Sequence, residues 1–386
     1  MPGGRFSALE SVFDGLETFL FVPNATSKRR GAHVHDAIDS KRTMSVVIFA
    51  LLPALLFGMY NVGLQHNIAL GQESSFWPTF FYGFLSVLPQ IVVSYAVGLG
   101  IEFIIAQLKH EEIQEGFLVT GILIPMIIPV ETPLWMIAVA TAFAVVFAKE
   151  VFGGTGYNVF NVALITRAFL FFSYPAAMSG DNVWVRLSST FGLGGEGKVV
   201  DGFTGATPLG QIAAGNVADI HNTLGNPLTD WDAFLGFLPG SVGEVSTLAI
   251  LIGACILIFT GIASYKIMVS GVVGVIAMAS LFNAIGATPA MQATALQHLL
   301  YGGFAFGIVF MATDPVTAAR TETGKWIYGF LIGVMVVFIR VLNAGYAEGM
   351  MLAILLMNTF APLIDYIVVE RNVSKRQARL VAKNKN

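Results

Sequence analysis

Cysteine and charged side chains are both scarce in this sequence of 386 residues. Cys255 is the one cysteine, so the chain forms no intrachain disulfide and cannot by itself supply the ligands of an iron–sulfur cluster. Only 12% of the residues are charged, about half of the roughly 25% found in soluble domains. Hydrophobic residues make up 55%, and the mean hydropathy is +0.73. This composition predicts a polytopic membrane protein, all-α in class.

Apolar runs predict about ten membrane-spanning helices, because roughly 20 apolar residues cross a bilayer. Basic residues then indicate the orientation, since cytoplasmic loops are enriched in Lys and Arg. Basic residues follow the even-numbered spans and are frequent in the C-terminal tail. The long loop 177–244 has few, mainly Arg186 and Lys198. We therefore expect both termini to be cytoplasmic and the loop to be periplasmic. The ten predicted spans are 46–64, 78–108, 117–130, 134–148, 158–176, 245–264, 267–286, 297–313, 326–342 and 348–367.

The chain divides into five segments around these spans. Residues 1–44 form a cytoplasmic N-terminal segment with an amphipathic helix over 7–21, whose polar face carries Glu10, Asp14 and Glu17. The other segments are a first membrane repeat over 45–176, the loop 177–244, a second membrane repeat over 245–368 and a basic cytoplasmic tail over 369–386.

The third and eighth predicted spans are short and resemble each other. Each starts with a Gly-Phe step, reaches a proline (Pro129 or Pro315), continues to a tryptophan and ends near a Gly-Tyr step. Short, proline-interrupted spans at matching places indicate two repeats of five helices, and an odd number of helices gives the repeats inverted topology. The alternative is coincidence, since Gly and Pro are frequent in such spans.

The stretch Asp201 to Leu209 lies in the longest polar interval and contains an Asp-Gly turn signal. Pro208 favours an extended backbone at Thr207, and Gly205 allows a sharp turn beside it. The Thr207 hydroxyl is then a candidate attachment point for a modifying group. From the residues alone, an ordinary loop remains the alternative.

A glycine-rich turn runs from Lys149 to Asn161, after the fourth predicted span. Its glycines offer flexible backbone donors, and the amides of Asn158 and Asn161 both donate and accept hydrogen bonds. This set suits an aromatic ring with a hydrogen-bonding edge, such as isoalloxazine. A phosphate-binding loop is disfavoured, because no Gly-Lys-Ser/Thr follows. A tight turn between helices, with an Asn cap, is the alternative.

Ionisable residues within predicted spans are candidate functional groups, because a charge in the bilayer usually faces a cavity or a partner. Asp314 precedes Pro315, and a carboxylate beside a free carbonyl would form a ligand pair for a hard cation. Equally, Asp314 would act as a cap or pair with a basic group such as Arg167 or Arg320. Arg340 belongs to the same set.

Glu102 and Asp365 lie near the cytoplasmic ends of their predicted spans, where snorkelling to water is the expected arrangement. Close to Glu102, the run Gly98-Leu99-Gly100 brings small residues into the second span. Small residues indicate close helix packing. They would also leave room for a flat quinone head group near the cytoplasmic surface.

Together, these blocks resemble the NqrB/RnfD family of membrane proteins, whose members belong to the Na+-translocating NADH:quinone reductase and to the Rnf complex. The resemblance extends over nearly the whole chain. The blocks that carry it are 149–161, 167–172, 201–208, 240–247, 310–316 and 365–372. The long basic N-terminal segment and the tail fit the reductase member better than the Rnf member.

The resemblance implies that FMN is joined to Thr207 through a phosphoester, installed by a periplasmic flavin transferase that uses FAD. The family pattern is Asp-x-x-Ser/Thr-Gly-Ala-Thr. It is filled here by Asp201, Thr204, Gly205, Ala206 and Thr207.

A second cofactor and two further sites are implied in the same way. Non-covalent riboflavin would bind at Asn158, Asn161 and Thr120. The quinone region would include Gly98 and Glu102, although Leu99 stands where the family has a second glycine. Sodium would pass by way of carboxylates, with Asp314 and Asp365 as candidates.

The expected function is that of a membrane subunit in a six-subunit, Na+-pumping NADH:ubiquinone oxidoreductase of the bacterial inner membrane. Its expected partners are the other five subunits (A, C, D, E and F), ubiquinone, Na+, the flavin transferase and the lipid bilayer, with no nucleic acid. One alternative is an Rnf-type component of a ferredoxin:NAD+ ion pump. The other is a flavin-free transporter of the same fold, because a fold alone does not define a function.

Overall fold

The computed structural model describes residues 40–109, 116–181, 183–188, 198–343 and 345–384. Within these ranges the chain is helical, and no β-sheet forms. The amphipathic helix predicted over 7–21 lies outside the described residues. The prediction of an all-α membrane protein is confirmed for the part of the chain that the structure describes.

The described chain contains fourteen α-helices, several of which continue into other helical forms. A π-helical segment, Val145–Lys149, and a 3-10 turn, Glu150–Phe152, extend the fourth helix. A second π-helical segment, Gly307–Met311, extends the twelfth. The α-helices are α1 (Ser40–Leu70), α2 (Phe76–Lys109), α3 (Phe117–Ile127), α4 (Leu134–Ala144), α5 (Val162–Ser173), α6 (Pro175–Met178), α7 (Pro208–Ala213), α8 (Asp230–Leu235), α9 (Thr247–Phe259), α10 (Tyr265–Ile285), α11 (Ala295–Leu300), α12 (Phe304–Phe306), α13 (Glu322–Leu342) and α14 (Met350–Asn384).

Six of these helices are long and apolar enough to cross a membrane. They coincide with predicted spans one, two, four, seven, nine and ten. The six stretches are Arg42–Leu70, Phe76–Lys109, Leu134–Phe152, Tyr265–Ile285, Glu322–Leu342 and Met350–Leu380.

The other four predicted spans are shorter helices. Helices α3, α5 and α9 have 11, 12 and 13 residues, which cover about 17 to 20 Å at 1.5 Å per residue. That is less than the roughly 30 Å of a hydrocarbon core. The span predicted over 297–313 is not continuous, because α11 ends at Leu300 and the helix resumes only at Phe304. Tyr301 and Gly302 form the break, with Gly302 in a left-handed conformation at φ 68°.

Helix α3 ends at Ile127, two residues before Pro129. Ile128, the residue before Pro129, is extended with ψ 157°, because the proline ring disfavours helical backbone at the residue before it. The carbonyl of Met126 is therefore free to accept from the backbone N–H of Gly243, at 2.8 Å. This bond ties the end of α3 to the segment that precedes α9.

Helix packing follows the same order in the two halves of the membrane region. In the first half, α2 packs against α4, and α4 packs against α5. In the second half, α10 packs against α13, and α13 packs against α14. The first helices of the two halves, α1 and α9, pack against each other and join the halves.

The segment between the halves forms a small cap with its own apolar cluster. Short helices α7 and α8 contribute Leu209, Ile212 and Ala233, and the break before α12 contributes Tyr301. Because this cluster contacts the break at 301–303, the cap also fixes the start of α12 (Gly302 lies against Leu209).

Candidate functional site

Thr207 is the N-cap of α7. Its backbone is extended (φ −71°, ψ 153°), as Pro208 at the first helical position predicts. Its Oγ1 atom accepts a hydrogen bond from the backbone N–H of Gly210 at 3.1 Å. This N-cap hydrogen bond fixes the position of the Thr207 oxygen, and the hydroxyl proton has no acceptor among the described residues. The left-handed glycine of this loop is Gly202 (φ 82°) and not Gly205, so the sharp turn lies three residues earlier than predicted.

Thr204 has a different role from Thr207, although both belong to the same sequence pattern. Its Oγ1 accepts from the backbone N–H of Ala206 at 3.3 Å, and its own N–H donates to the carbonyl of Thr223 at 3.0 Å. Thr204 therefore shapes the loop. Asp201 is exposed in the turn before it, and Gly205 is buried.

A cavity of about 360 Å³ lies beside Thr207, and we call it the threonine cavity. Its volume is within the roughly 300–1,000 Å³ range of ligand-binding clefts. Three aromatic residues and several carboxylates are among the residues that line it. The relevant lining residues are Phe171, Asp181, Trp184, Thr207, Leu238, Glu244, Tyr346 and Glu348.

Two buried arginines hold the wall of the threonine cavity. Arg340 donates to the carbonyls of His298 (2.6 Å), Tyr301 (3.1 Å) and Glu348 (2.9 Å), which joins the segment before α12 to the segment before α14. Arg167, on α5, forms an ion pair with the Glu348 side chain. Each arginine is thus explained by a partner inside the protein, which the sequence could not identify because the partners are up to 181 residues away.

Asn158, Asn161 and Thr120 line a second cavity. We call it the asparagine cavity. Lys149 and Asp314 line it as well. Its volume of about 100 Å³ is smaller than a typical ligand cleft, so a three-ring ligand requires its walls to move apart.

Both asparagines also have the structural role that was the alternative prediction. Asn161 caps α5, with Oδ1 accepting from the N–H of Leu164 at 3.2 Å. Asn158 closes its own turn, donating to the carbonyl of Phe160 at 3.0 Å and accepting from the N–H of Gly156 at 3.3 Å. The Nδ2 group of Asn161 has no hydrogen-bond partner within the described part of the chain, which leaves it available to a ligand.

Thr155 adds an unused polar atom to the asparagine cavity. Its Oγ1 is buried and has no hydrogen-bond partner among the residues that the structure describes. Buried polar atoms of this kind are rare in folded proteins. Amide and hydroxyl donors of this kind fit the polar edge of an isoalloxazine ring, so the residues present suit a flavin even though the space is narrow.

Glu102 does not reach water, and the snorkelling interpretation is wrong. Its carboxylate forms an ion pair with Lys149, and both side chains are about 95% buried. The ammonium group also lies 6.0 Å from the centroid of the Phe117 ring, a cation–π arrangement. Lys149 lines the asparagine cavity, so this pair connects the predicted quinone region to the predicted riboflavin region.

Gly98 provides close packing. A Cβ atom at this position would lie 1.8 Å from the Phe117 ring, which occupies the space beside the glycine. Gly100, two residues further along, has no atom within 4 Å of its Cβ position. Any room for a flat ring on this helix therefore lies beside Gly100 and not beside Gly98.

Asp314 and Asp365 both accept hydrogen bonds within the protein, Asp314 in its own turn and Asp365 from the start of α13. Asp314 accepts from the N–H of Val316 at 3.1 Å and from the hydroxyl of Thr317 at 3.0 Å, and it also lines the asparagine cavity. Asp365 accepts from the N–H groups of Arg320 and Thr321, at 2.7 and 2.9 Å. The two carboxylates do not share a site. No cluster of three or more His, Cys, Asp or Glu suited to a metal ion occurs among the described residues.

The helices and the two polar cavities define a polytopic membrane protein with candidate ligand sites at opposite ends of α5. Residues 27–374 match the model of the NQR2, RnfD, RnfE family. The chain belongs to this family.

Its relatives share nearly their whole length with this chain. The B subunit of the Na(+)-translocating NADH-quinone reductase from Pseudomonas aeruginosa is 46% identical over 402 residues, which cover 98% of this chain and 96% of the relative. The protein of the same name from Neisseria meningitidis serogroup B is 46% identical over 407 residues, with the same coverage. That from Chromohalobacter salexigens is 44% identical over 400 residues, covering 98% and 93%.

Proposed function

We propose that this chain is the membrane subunit of a Na+-translocating NADH:ubiquinone oxidoreductase that carries FMN on Thr207. The names of relatives at about 46% identity support this assignment over that of an Rnf-type component or a flavin-free transporter. The observation that carries the cofactor proposal is the capped, extended Thr207 beside the threonine cavity. The cavity is large enough and aromatic enough for a flavin ring, and Thr204 is held away by its own loop bonds.

Thr207→Ala tests the attachment site. The intact complex, co-expressed with a periplasmic flavin transferase, should give a fluorescent band for this chain in a denaturing gel. We expect Thr207→Ala to abolish the band and Thr204→Ala to retain it, because only the first removes the attachment oxygen. A wild-type chain without fluorescence would exclude covalent flavin and leave the flavin-free transporter as the better assignment.

The asparagine cavity is proposed to bind riboflavin non-covalently through Asn158, Asn161 and Thr120. Since Asn161 is also a helix cap, its replacement by Ala would combine a lost ligand contact with a capping loss of about 1 kcal/mol. Asn161→Ser is the sharper variant, because serine caps well but lacks the Nδ2 donor. We expect both variants to lower the extractable flavin per complex by severalfold. An unchanged yield in Asn161→Ser would place the flavin elsewhere.

Electron transfer is proposed to run from a neighbouring flavoprotein to the Thr207 site, then to the asparagine cavity, and finally to ubiquinone near Glu102. Bound flavins supply the redox chemistry, and the protein supplies position and dielectric. Helix α5 starts at the asparagine cavity and ends beside the threonine cavity, with Phe171 near its last turn. Its 12 residues separate the two cavities by about 18 Å.

The membrane topology is proposed to consist of ten crossings in two inverted repeats, with both termini in the cytoplasm of a bacterium and the cap in the periplasm. The matching helix order of the two halves supports the repeat. The residues lining the asparagine cavity come from the starts of α1, α3 and α5 and the ends of α9 and α12. In the second half, α9 and α12 therefore run opposite to α1, α3 and α5 of the first half, as inversion requires.

Sodium transport is proposed to involve Asp314 and Asp365, although each is committed to backbone donors in this conformation. Asp314 has the stronger position, because it lines a cavity. Asp314→Asn in proteoliposomes should weaken the Na+ dependence of quinone reduction by severalfold. Unchanged Na+ dependence would remove Asp314 from the path.

A further inference from the structure

Tyr346 is a buried tyrosine whose hydroxyl has no hydrogen-bond partner in the described part of the structure. Its side chain is only 5% exposed, and it lines the threonine cavity. A buried hydroxyl normally has a partner, because burial without one leaves the desolvation cost uncompensated. The phenol at this position is therefore an unused hydrogen-bond donor in a residue that lines the cavity.

The surroundings of Tyr346 hold its ring in one place. Its ring meets that of Phe171 at a centroid distance of 4.6 Å and an angle of 65°, and its N–H donates to the carbonyl of Asn343 at 3.1 Å. Two residues later, Glu348 is held by both Arg167 and Arg340. Such double attachment makes the segment a rigid wall for the cavity.

Tyr346 remains a donor at physiological pH. It lies in the connection between α13 and α14, and burial raises the pKa of its phenol to about 12. The neutral O–H form then persists across the working range of pH, so the group can donate to a ring carbonyl.

We infer that the Tyr346 hydroxyl donates a hydrogen bond to the edge of a flavin ring carried by Thr207, with Phe171 and Trp184 forming the aromatic wall. The inference rests on the proposed attachment at Thr207. The ligand class follows from the lining: aromatic side chains accept a flat ring, and a single donor requires an acceptor at the ring edge. The sequence does not mark Tyr346 as a ligand-binding residue, because the cavity that it lines forms only in the folded protein.

Tyr346→Phe tests the contact, because it removes the hydroxyl and keeps the ring that packs on Phe171. The spectrum of the Thr207→Ala complex is subtracted from that of the complex that keeps Thr207, so that only the attached flavin is observed. The redox-induced infrared difference spectrum reports a flavin carbonyl that loses a hydrogen bond as a shift to higher frequency. We also expect the redox equilibrium of this flavin to change by about two- to tenfold, the effect of one hydrogen bond.

Tyr328→Phe is the matched control. It removes a buried tyrosine hydroxyl that donates to Asn358 at 2.7 Å and does not line the cavity. We expect a fluorescent gel band in both variants and an infrared shift only in Tyr346→Phe.

Three outcomes would contradict the inference or its basis in distinguishable ways. A normal band with an unshifted carbonyl in Tyr346→Phe would overturn the contact and leave the attachment intact. Loss of the gel band in Tyr346→Phe but not in Tyr328→Phe would also overturn the contact. The Tyr346 hydroxyl is proposed to bind the flavin ring and to have no part in the attachment to Thr207. A wild-type complex without a band would instead refute the proposed attachment.

Discussion

At the scale of single residues, two lysine–glutamate pairs in the described residues differ mainly in burial. Lys149 and Glu102 form a pair whose side chains are 6% and 5% exposed. Lys109 and Glu150 form a pair close by, at 3.2 Å, in which the lysine side chain is 38% exposed. They therefore form a matched set for measuring what burial does to an ion pair.

Lys149→Met should be more destabilising than Lys109→Met, because Lys109 is 38% exposed and its partner Glu150 is 11% exposed, whereas both members of the Lys149 pair are buried. Removing one partner of a buried pair leaves an uncompensated charge and costs about 3–5 kcal/mol, whereas an exposed pair contributes at most about 1 kcal/mol. The thermal unfolding midpoint of the purified complex checks the ranking.

The double variant Lys149→Met with Glu102→Gln is the control for this prediction. It removes both charges, so it should recover most of the stability that the single variant loses. Equal midpoints for Lys149→Met and Lys109→Met would contradict the burial of the Glu102 pair inside the protein.

Residue-level predictions from the sequence succeeded where the cause is local. Pro208 alone requires the extended backbone at Thr207, and Asn161 before an apolar run indicates a cap. Glu102 was misjudged because its partner lies 47 residues away, beyond any local pattern. Tyr346 was missed for the same reason, since its significance depends on a cavity formed by distant segments.

At the scale of elements, α10 and α13 pack through glycines on both helices. A Cβ atom at Gly333 would lie 2.1 Å from the carbonyl oxygen of Gly271, and one at Gly274 would lie 2.3 Å from that of Phe330. Small residues let two helix backbones approach in a bilayer, where apolar burial gives little drive for association. The second half depends on this contact, because α13 also packs against α14.

Gly333→Ala should separate α10 from α13 and destabilise the protein by about 1–3 kcal/mol, the usual cost of overpacking. The obstructing atoms are backbone, so they cannot rotate away. Size-exclusion chromatography after graded heating measures the folded fraction.

Gly100→Ala is the control for the glycine variant. Its Cβ position has no atom within 4 Å, and alanine is the better helix former, so we expect equal or slightly higher stability. If the two alanine variants lost the folded form at the same temperature, the close approach of α10 and α13 would be contradicted.

The sequence predicts helices better than it predicts their interruptions. The stop of α3 at Pro129 follows from proline geometry, and α3 was predicted to be short. Helices α5 and α9 were predicted as full-length spans but have only 12 and 13 residues. The break at 301–303 was missed, because Tyr301-Gly302-Gly303 lies in an apolar run that reads as continuous. The π-helical segments at 145–149 and 307–311 have no local signal in the sequence.

At the scale of the whole molecule, the two cavities mark the two ends of the helical region. The asparagine cavity is lined by the start of α1 and the connection after α9. The threonine cavity is lined by the cap and by the connection before α14. The basic residues predict that Thr207 and the glycine-rich turn lie on opposite sides of the membrane. That the asparagine cavity faces the cytoplasm is a prediction from the positions of the basic residues.

Single-cysteine labelling decides the orientation. The native Cys255 is exposed on α9 and would first be replaced by serine. Asn226→Cys places a thiol at an exposed position of the cap, and Ser374→Cys places one in the exposed C-terminal part of α14. In intact spheroplasts, a membrane-impermeant maleimide should label the first variant, whereas Ser374→Cys should react only after the membrane is opened. The reverse pattern would put Thr207 in the cytoplasm, out of reach of a periplasmic transferase, and would contradict both the topology and the proposed route of FMN attachment.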